Sequence, residues 1–310
     1  MASKYHVRSI SLPSRSHPTT IKIEEELTKL KALEESSSRS LGSFCVSGLS
    51  GLEELYLCLD DLLNVASTQQ VLSHHQQNQN QHERYSIFDE LMLDGSVKVL
   101  DICGITRDIL LQMKEHVQAL NSALRRRKGD SSIQDNITSY ICFRKKMKKE
   151  NKRLISTLKQ IDNKFITMSP VVLLDQDQHF LAVIRVLREV NSMSSSIFQS
   201  LLTFLSVPMT SKPRHSSTSS SSRWSLVTKL MHKRVMACDG QDHDENIVNE
   251  LESVDAILLL CRSYDKMQLQ DANEKLKALE TRVEELEKGL ERLFRRLIRT
   301  RASLLNIISQ

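Results

Sequence analysis

The stretch LKALETRVEELEKGLERLFRRLIRTRASLLNIISQ, residues 276–310, decides how the rest of the chain must be read. Set out in heptads, it places Leu276, Val283, Leu290, Leu297 and Leu304 at one seam position and Leu279, Leu286, Leu293, Thr300 and Ile307 at the other. Only Thr300 is not apolar. A sustained seam of this kind specifies a helix about 50 Å long whose dry side needs a partner. Its acids come early (Glu280, Glu284, Glu285, Glu287) and its arginines late (Arg292, Arg295, Arg296, Arg299, Arg301), which suits the helix dipole and offers Glu284–Lys288 and Glu291–Arg295 pairs four residues apart.

The remaining sequence supplies further long apolar stripes. A short helix is expected over residues 21–35 with Thr20 as its cap, and another over 49–66 carrying Leu52, Leu55, Tyr56, Leu59 and Leu63. After a turn at Asp94-Gly95, Ile102, Ile109, Met113, Val117 and Leu120 recur at helical spacing as far as Lys128. Two more stripes run through 132–167 and 175–205, the second thinned by Ser192, Ser194, Ser195 and Ser196 to a waist that another helix can approach. A last one begins near 246 and loses register at Asp265 and Gln268 before the terminal heptads. With eight Gly, five Pro and 5% aromatics, the turn signals and ring-rich runs of sheet proteins are missing. The fold class is therefore all-α: an elongated bundle of long antiparallel helices closed by the heptad-patterned C-terminal helix. Four other stripes favour a seam covered by its own chain over a self-associating coiled coil.

Two regions stand apart by composition. Residues 1–42 form a basic, Ser/Pro-rich tail with a short helix, and residues 43–310 form the bundle domain, with flexible insertions at about 67–84 and 207–222. The tail's first residues contain no acid, as in an organelle transit peptide, but Pro13 and Pro18 oppose the amphipathic helix such a peptide forms. Within it, Arg8, Ser9, Ser11 and Pro13 have the Arg-Ser-x-Ser-x-Pro form of a 14-3-3 docking peptide once Ser11 is phosphorylated; the competing reading is an unmodified flexible tail. Trp224, Leu226 and Leu230 belong to a short basic amphipathic segment that either meets a partner groove or docks on the core.

Composition limits the chemistry. A net charge of +5 on 310 residues demands neither nucleic acid nor membrane. Six dispersed cysteines with no CxxC pair are reduced core residues of a reducing compartment. No apolar run is long enough to span a bilayer. The expected location is cytoplasmic, with plastid or nucleus as alternatives. The tract HHQQNQNQH (74–82) offers no acid or cysteine to complete a metal site and is read as linker. No phosphate loop, HExxH or GxSxG is present, and His116, His179 and His232 lack a nucleophile beside them, so no catalytic residue, metal or cofactor is assigned. The basic run RKKMKKENKR (144–153) is read as a solvated helix face; the alternative is a nucleus-directed, polyanion-binding protein.

Four stretches, RSISLPSRSHP (8–18), GLEELYLCLDDLLN (51–64), WSLVTKLM (224–231) and LEKGLERLFRRLIRTRASLLNI (286–307), together resemble a plant-specific family of unknown biochemical function related to the Bypass proteins. That resemblance implies a helical, non-enzymatic plant protein with a role in root and shoot development, and carries over no catalytic or ligand-binding residue. The resulting expectation is a helical interaction or scaffold protein, with protein partners and oligomeric state left open.

Overall fold

A computed structural model describes residues 18–36, 41–77, 94–126, 130–167, 178–207, 249–260 and 266–309. Within them lie eight helices: α1 (Pro18–Ser36), α2 (Leu41–Leu63), α3 (Ala66–Gln77), α4 (Gly95–Arg126), α5 (Asp130–Thr167), α6 (Gln178–Leu205), α7 (Glu250–Leu260) and α8 (Lys266–Ile308). The described residues contain no strand.

The terminal helix α8 organises the bundle as its heptads require. All ten seam residues are buried, none more than 4% exposed, and they are covered chiefly by α4 and α2 of the same chain. Polar ties along the edges of these contacts give the directions. From Ser96 to Asn121 on α4, the partners on α8 descend from Arg301 through Glu287 to Glu280, so the two helices are antiparallel. Along α2 the partners ascend: Ser43 meets Arg282, Glu53 meets Arg292 at 2.7 Å and Asp60 meets Thr300. Thus α2 and α8 run in the same sense, although each also has an antiparallel long neighbour, α6 for α2 and α4 for α8. No short connection links these two helices, so chain reversal does not impose antiparallel packing on them.

A second layer closes over α2. Helix α6 packs against α2 and α5, and α1 lies across α2 and α6 with Ile23, Leu27 and Leu30 buried. The serine waist of α6 is used on two sides. Ser194 gives its hydroxyl hydrogen to the Val190 carbonyl, so the Tyr56 hydroxyl of α2 donates to Ser194 across 3.0 Å. Ser195 donates to Asp162 of α5 at 2.7 Å.

Several boundaries differ from the sequence expectation for identifiable reasons. Helix α1 starts at Pro18 rather than beyond Thr20, because proline suits a first helical turn; Thr20 is then an internal, buried residue instead of the cap. Helix α2 starts at Leu41, well before 49. Its glycines permit close approach rather than loosening an end: a Cβ on Gly48 would stand 3.2 Å from Ile197 Cγ2, and one on Gly51 would collide with Leu30. Residues 67–77, placed in a flexible insertion, instead belong with Ala66 to α3, in which Thr68 and Leu72 are buried. It packs on α6 and α8, and Ser73 donates to the Ile307 carbonyl at 3.2 Å. The expected break at Asp265 lies outside the described residues, and Gln268 already belongs to α8. Outside them too lie Arg8, Ser9, Ser11, Pro13, Trp224, Leu226, Leu230 and the insertion at 207–222 beyond its first residue.

Candidate functional site

The polar groups that the bundle encloses fall into two centres. The first begins with α5. Its buried positions Ile137, Tyr140, Arg144, Met147, Asn151, Leu154, Leu158 and Ile161 advance by alternate steps of three and four residues, a heptad seam in which Arg144 and Asn151 occupy core places. Part of the basic run read as a solvated face is therefore interior: Arg144 is 2% exposed and Asn151 fully buried.

Arg144 is met on all sides. Its Nη2 donates to Asp255 Oδ2 at 2.7 Å and its Nε reaches both Asp255 oxygens at 3.2 Å. Nη1 donates to the Leu205 carbonyl at 2.8 Å and Nη2 to the Val207 carbonyl at 3.2 Å. The Leu205 carbonyl ends α6, where a helix leaves its last acceptors without intrahelical donors, and Val207 lies two residues beyond. Tyr140, fully buried, donates to Asp255 Oδ1 at 2.9 Å. Its phenol is raised well above the usual range, first by burial and then by the Asp255 charge beside it. Asn249 completes the arrangement: its amide donates to the Phe204 carbonyl at 3.1 Å while its Oδ1 accepts from the Leu251 N–H at 2.9 Å, capping α7. The centre thus fastens the end of α6 and the start of α7 to α5.

The second centre explains the one polar seam residue of α8. Thr300 donates to Asp60 Oδ1 at 2.5 Å, and both side chains are buried. Asp60 Oδ2 has no hydrogen-bond partner, the nearest cation being Arg299 Nε at 3.8 Å on a largely exposed side chain. Burial raises the Asp60 pKa; the Thr300 hydrogen bond and the charges of Arg299 and Arg296 oppose it. The folded chain therefore holds this proton more tightly than the unfolded chain. Stability contributed this way is present at low pH and is lost as pH rises through the folded pKa. Asp60→Asn is accordingly expected to raise stability by about 1–2 kcal/mol near pH 7.5, with the gain shrinking as pH falls through the folded pKa and the native carboxyl takes up its proton. Melting curves across that range check it, and a gain independent of pH would refute the account.

Asn151 presents a different case, since neither end of its buried amide has a protein partner. Leucine has nearly the same size and brings no polar atom to desolvate. Asn151→Leu is expected to stabilise the chain by about 1–2 kcal/mol in urea denaturation.

Most other reactive groups are held in unreactive states, whereas Cys142 on α5, read as a core residue, is an exposed free thiol. The thiols of Cys45 and Cys103 are pushed up to about 12 by burial, which removes the thiolate needed for nucleophilic attack. The Tyr56 phenol is also raised to about 12 by burial. His116 stacks on Phe143 with ring centroids 4.7 Å apart, and burial lowers its pKa. His179 Nε2 lies 3.4 Å from Thr68 Oγ1. Among the described residues no group of three His, Cys, Asp or Glu is disposed to hold a metal, and no helix is long and apolar enough to cross a membrane. A small crevice between α2, α4, α6 and α8 is lined by Tyr56, Ser96, Asn191, Thr300 and Arg301 with apolar neighbours.

Neither centre was assigned from the sequence. The three-four spacing through Tyr140, Arg144 and Asn151 was the available signal for one, and the lone Thr300 in an apolar seam for the other. Asp255 and Asp60 carried no comparable mark, because each follows an apolar seam residue and acquires its partner only through tertiary packing.

A protein-family model described as Protein BPS1 matches residues 48–307, a span that holds both centres and begins after the tail. No curated protein and no solved structure matches the chain.

Proposed function

Because the chain belongs to the BPS1 family, we propose that it is a non-enzymatic helical interaction protein acting in plant development, in root and shoot, from the cytoplasm. The observation that carries this reading is the use made of the interior polar groups. Arg144, Asp255, Tyr140, Asp60 and Thr300 are spent on joining helices, and the buried thiols are kept protonated, so the chemistry inside the bundle is structural. Binding is then assigned to the tail and to the Trp224 segment. The tail residues Arg8, Ser9, Ser11 and Pro13 form the phosphorylation-dependent docking peptide for a 14-3-3 protein, and Trp224, Leu226 and Leu230 form a partner surface.

Proximity labelling in plant cells, comparing the full chain with one lacking residues 1–17, tests the reading. A reproducible set of labelled proteins is expected, with 14-3-3 proteins disappearing on tail removal. Identical labelling by both forms would remove the tail from the proposal, and labelling no different from that of an unrelated soluble helical protein would end the interaction reading.

A further inference from the structure

We propose that the outer face of α5 docks the chain on an anionic lipid surface. The exposed cations Lys145, Lys146, Lys149, Lys152 and Arg153 share one arc of the helix, opposite the seam that buries Arg144, Met147 and Asn151. Elsewhere charge is paired along and between helices: Lys114 with Glu287, Arg292 with Glu53, Arg295 with Glu291, Lys275 with Asp271. On α5 this device is only partial, and Lys152 takes part in it. Arg153 is held by Glu150, but among the described residues no acid stands within ion-pair distance of Lys145, Lys146 or Lys149.

Cations four residues apart, as at 145–149, 148–152 and 149–153, repel each other and weaken a helix instead of supporting it. Lys148 registers that field: its pKa is lowered first by partial burial and then by Lys152 and Arg144. At Lys145, Lys146 and Lys149 the face therefore carries an electrostatic cost that no acid among the described residues offsets, and an external anion would relieve it.

The side chains favour a lipid surface among anions. The cluster is almost wholly lysine, whose compact hydrated charge suits a diffuse negative potential rather than the forked grip arginine gives a single phosphate. The run has no aromatic ring to stack a base. A planar array of headgroups needs none. This inference is independent of the protein-partner reading above, and its failure would leave that reading intact.

The test is sedimentation of the full-length protein with phosphatidylcholine vesicles, with and without phosphatidylserine. Binding is expected only with phosphatidylserine, declining as salt rises. Each surface lysine contributes roughly fivefold to such affinity, so Lys145→Gln, Lys146→Gln and Lys149→Gln together should weaken binding roughly a hundredfold. All three are exposed, and the melting temperature should not fall. A control of equal charge loss, Lys29→Gln with Lys277→Gln and Lys288→Gln, should weaken it far less. The proposal is overturned if the native chain ignores phosphatidylserine, if the control loses as much as the α5 variant, or if duplex DNA at matched phosphate concentration displaces the vesicles.

Discussion

Replacing Arg144 with methionine is expected to destabilise the protein by about 3–5 kcal/mol, a large share of the 5–15 kcal/mol that holds a domain together. The loss would not come from the ion pair being intrinsically strong. Two charges whose side chains are each 1% exposed have given up hydration that their mutual attraction only roughly repays. The cost of the substitution arises because Asp255 keeps its charge in the interior with Tyr140 as its remaining donor, while the Leu205 and Val207 carbonyls lose their donors. Asp255→Leu should cost a similar amount by stranding Arg144. The double variant Arg144→Met with Asp255→Leu removes both charges and should recover most of the loss, leaving about 1–2 kcal/mol for the Leu205 and Val207 carbonyls. Urea denaturation of the four proteins decides the matter through the coupling energy of the cycle. Additive losses would mean that Arg144 and Asp255 act separately and that the centre does not clasp α6 and α7 to α5.

That centre also marks where sequence reading stops. Helix existence was legible wherever an apolar stripe was strong, because apolar spacing is a local property: the stripes through 95–128, 132–167 and 175–205 returned as α4, α5 and α6 with ends shifted by a few residues. The covered seam of α8 was legible for the same reason. What escaped were residues whose meaning depends on a distant partner. RKKMKKENKR reads as one uniform basic face until the interior position of Arg144 is fixed by Asp255, 111 residues further along. Asp60 looks like any acid of a helix surface until a parallel α8 brings Thr300 against it. The glycines of α2 resemble helix breakers until Ile197 and Leu30 are seen to occupy the space a side chain would take. Residues 66–77 lacked an apolar stripe strong enough to announce a helix, since Leu72 is their one buried large aliphatic residue. Periodicity identifies which face of a helix is dry; it carries no information about which helix covers it.

The two polar centres have a shared consequence for specificity. Heptad seams of leucine are interchangeable, and a bundle built from several of them could exchange neighbours or slide by one repeat at little cost. Asp60 accepts its one hydrogen bond only where α2 lies alongside α8 in the present register, and Arg144 is satisfied only where the end of α6 and the start of α7 meet α5. Each centre is costly in any other arrangement. They act as keys to the topology while leucines and isoleucines supply the burial.

Leu293→Asp is expected to cost about 5 kcal/mol or more, enough to leave much of the population unfolded at room temperature, whereas Ile298→Asp should change stability by less than about 0.5 kcal/mol. Both positions lie on α8 and both residues are large and aliphatic. A scale of hydrophobicity or helix propensity would not separate them. Their surroundings do: Leu293 is fully buried in the seam between α2 and α4, and Ile298 is 47% exposed on the opposite side. An aspartate at 293 would be an unpaired charge where the adjoining seam residues Leu286, Leu290 and Leu297 offer no donor, while an aspartate at 298 would stand in water beside the exposed Arg299. Circular dichroism through thermal and urea unfolding distinguishes the outcomes. Comparable losses at the two positions would mean that the outer side of α8 is also covered in solution, by a second copy or by another part of the chain. A tolerated aspartate at 293 would mean that the heptad seam is open to solvent, and the packing of α2 and α4 around α8 would have to be discarded with it.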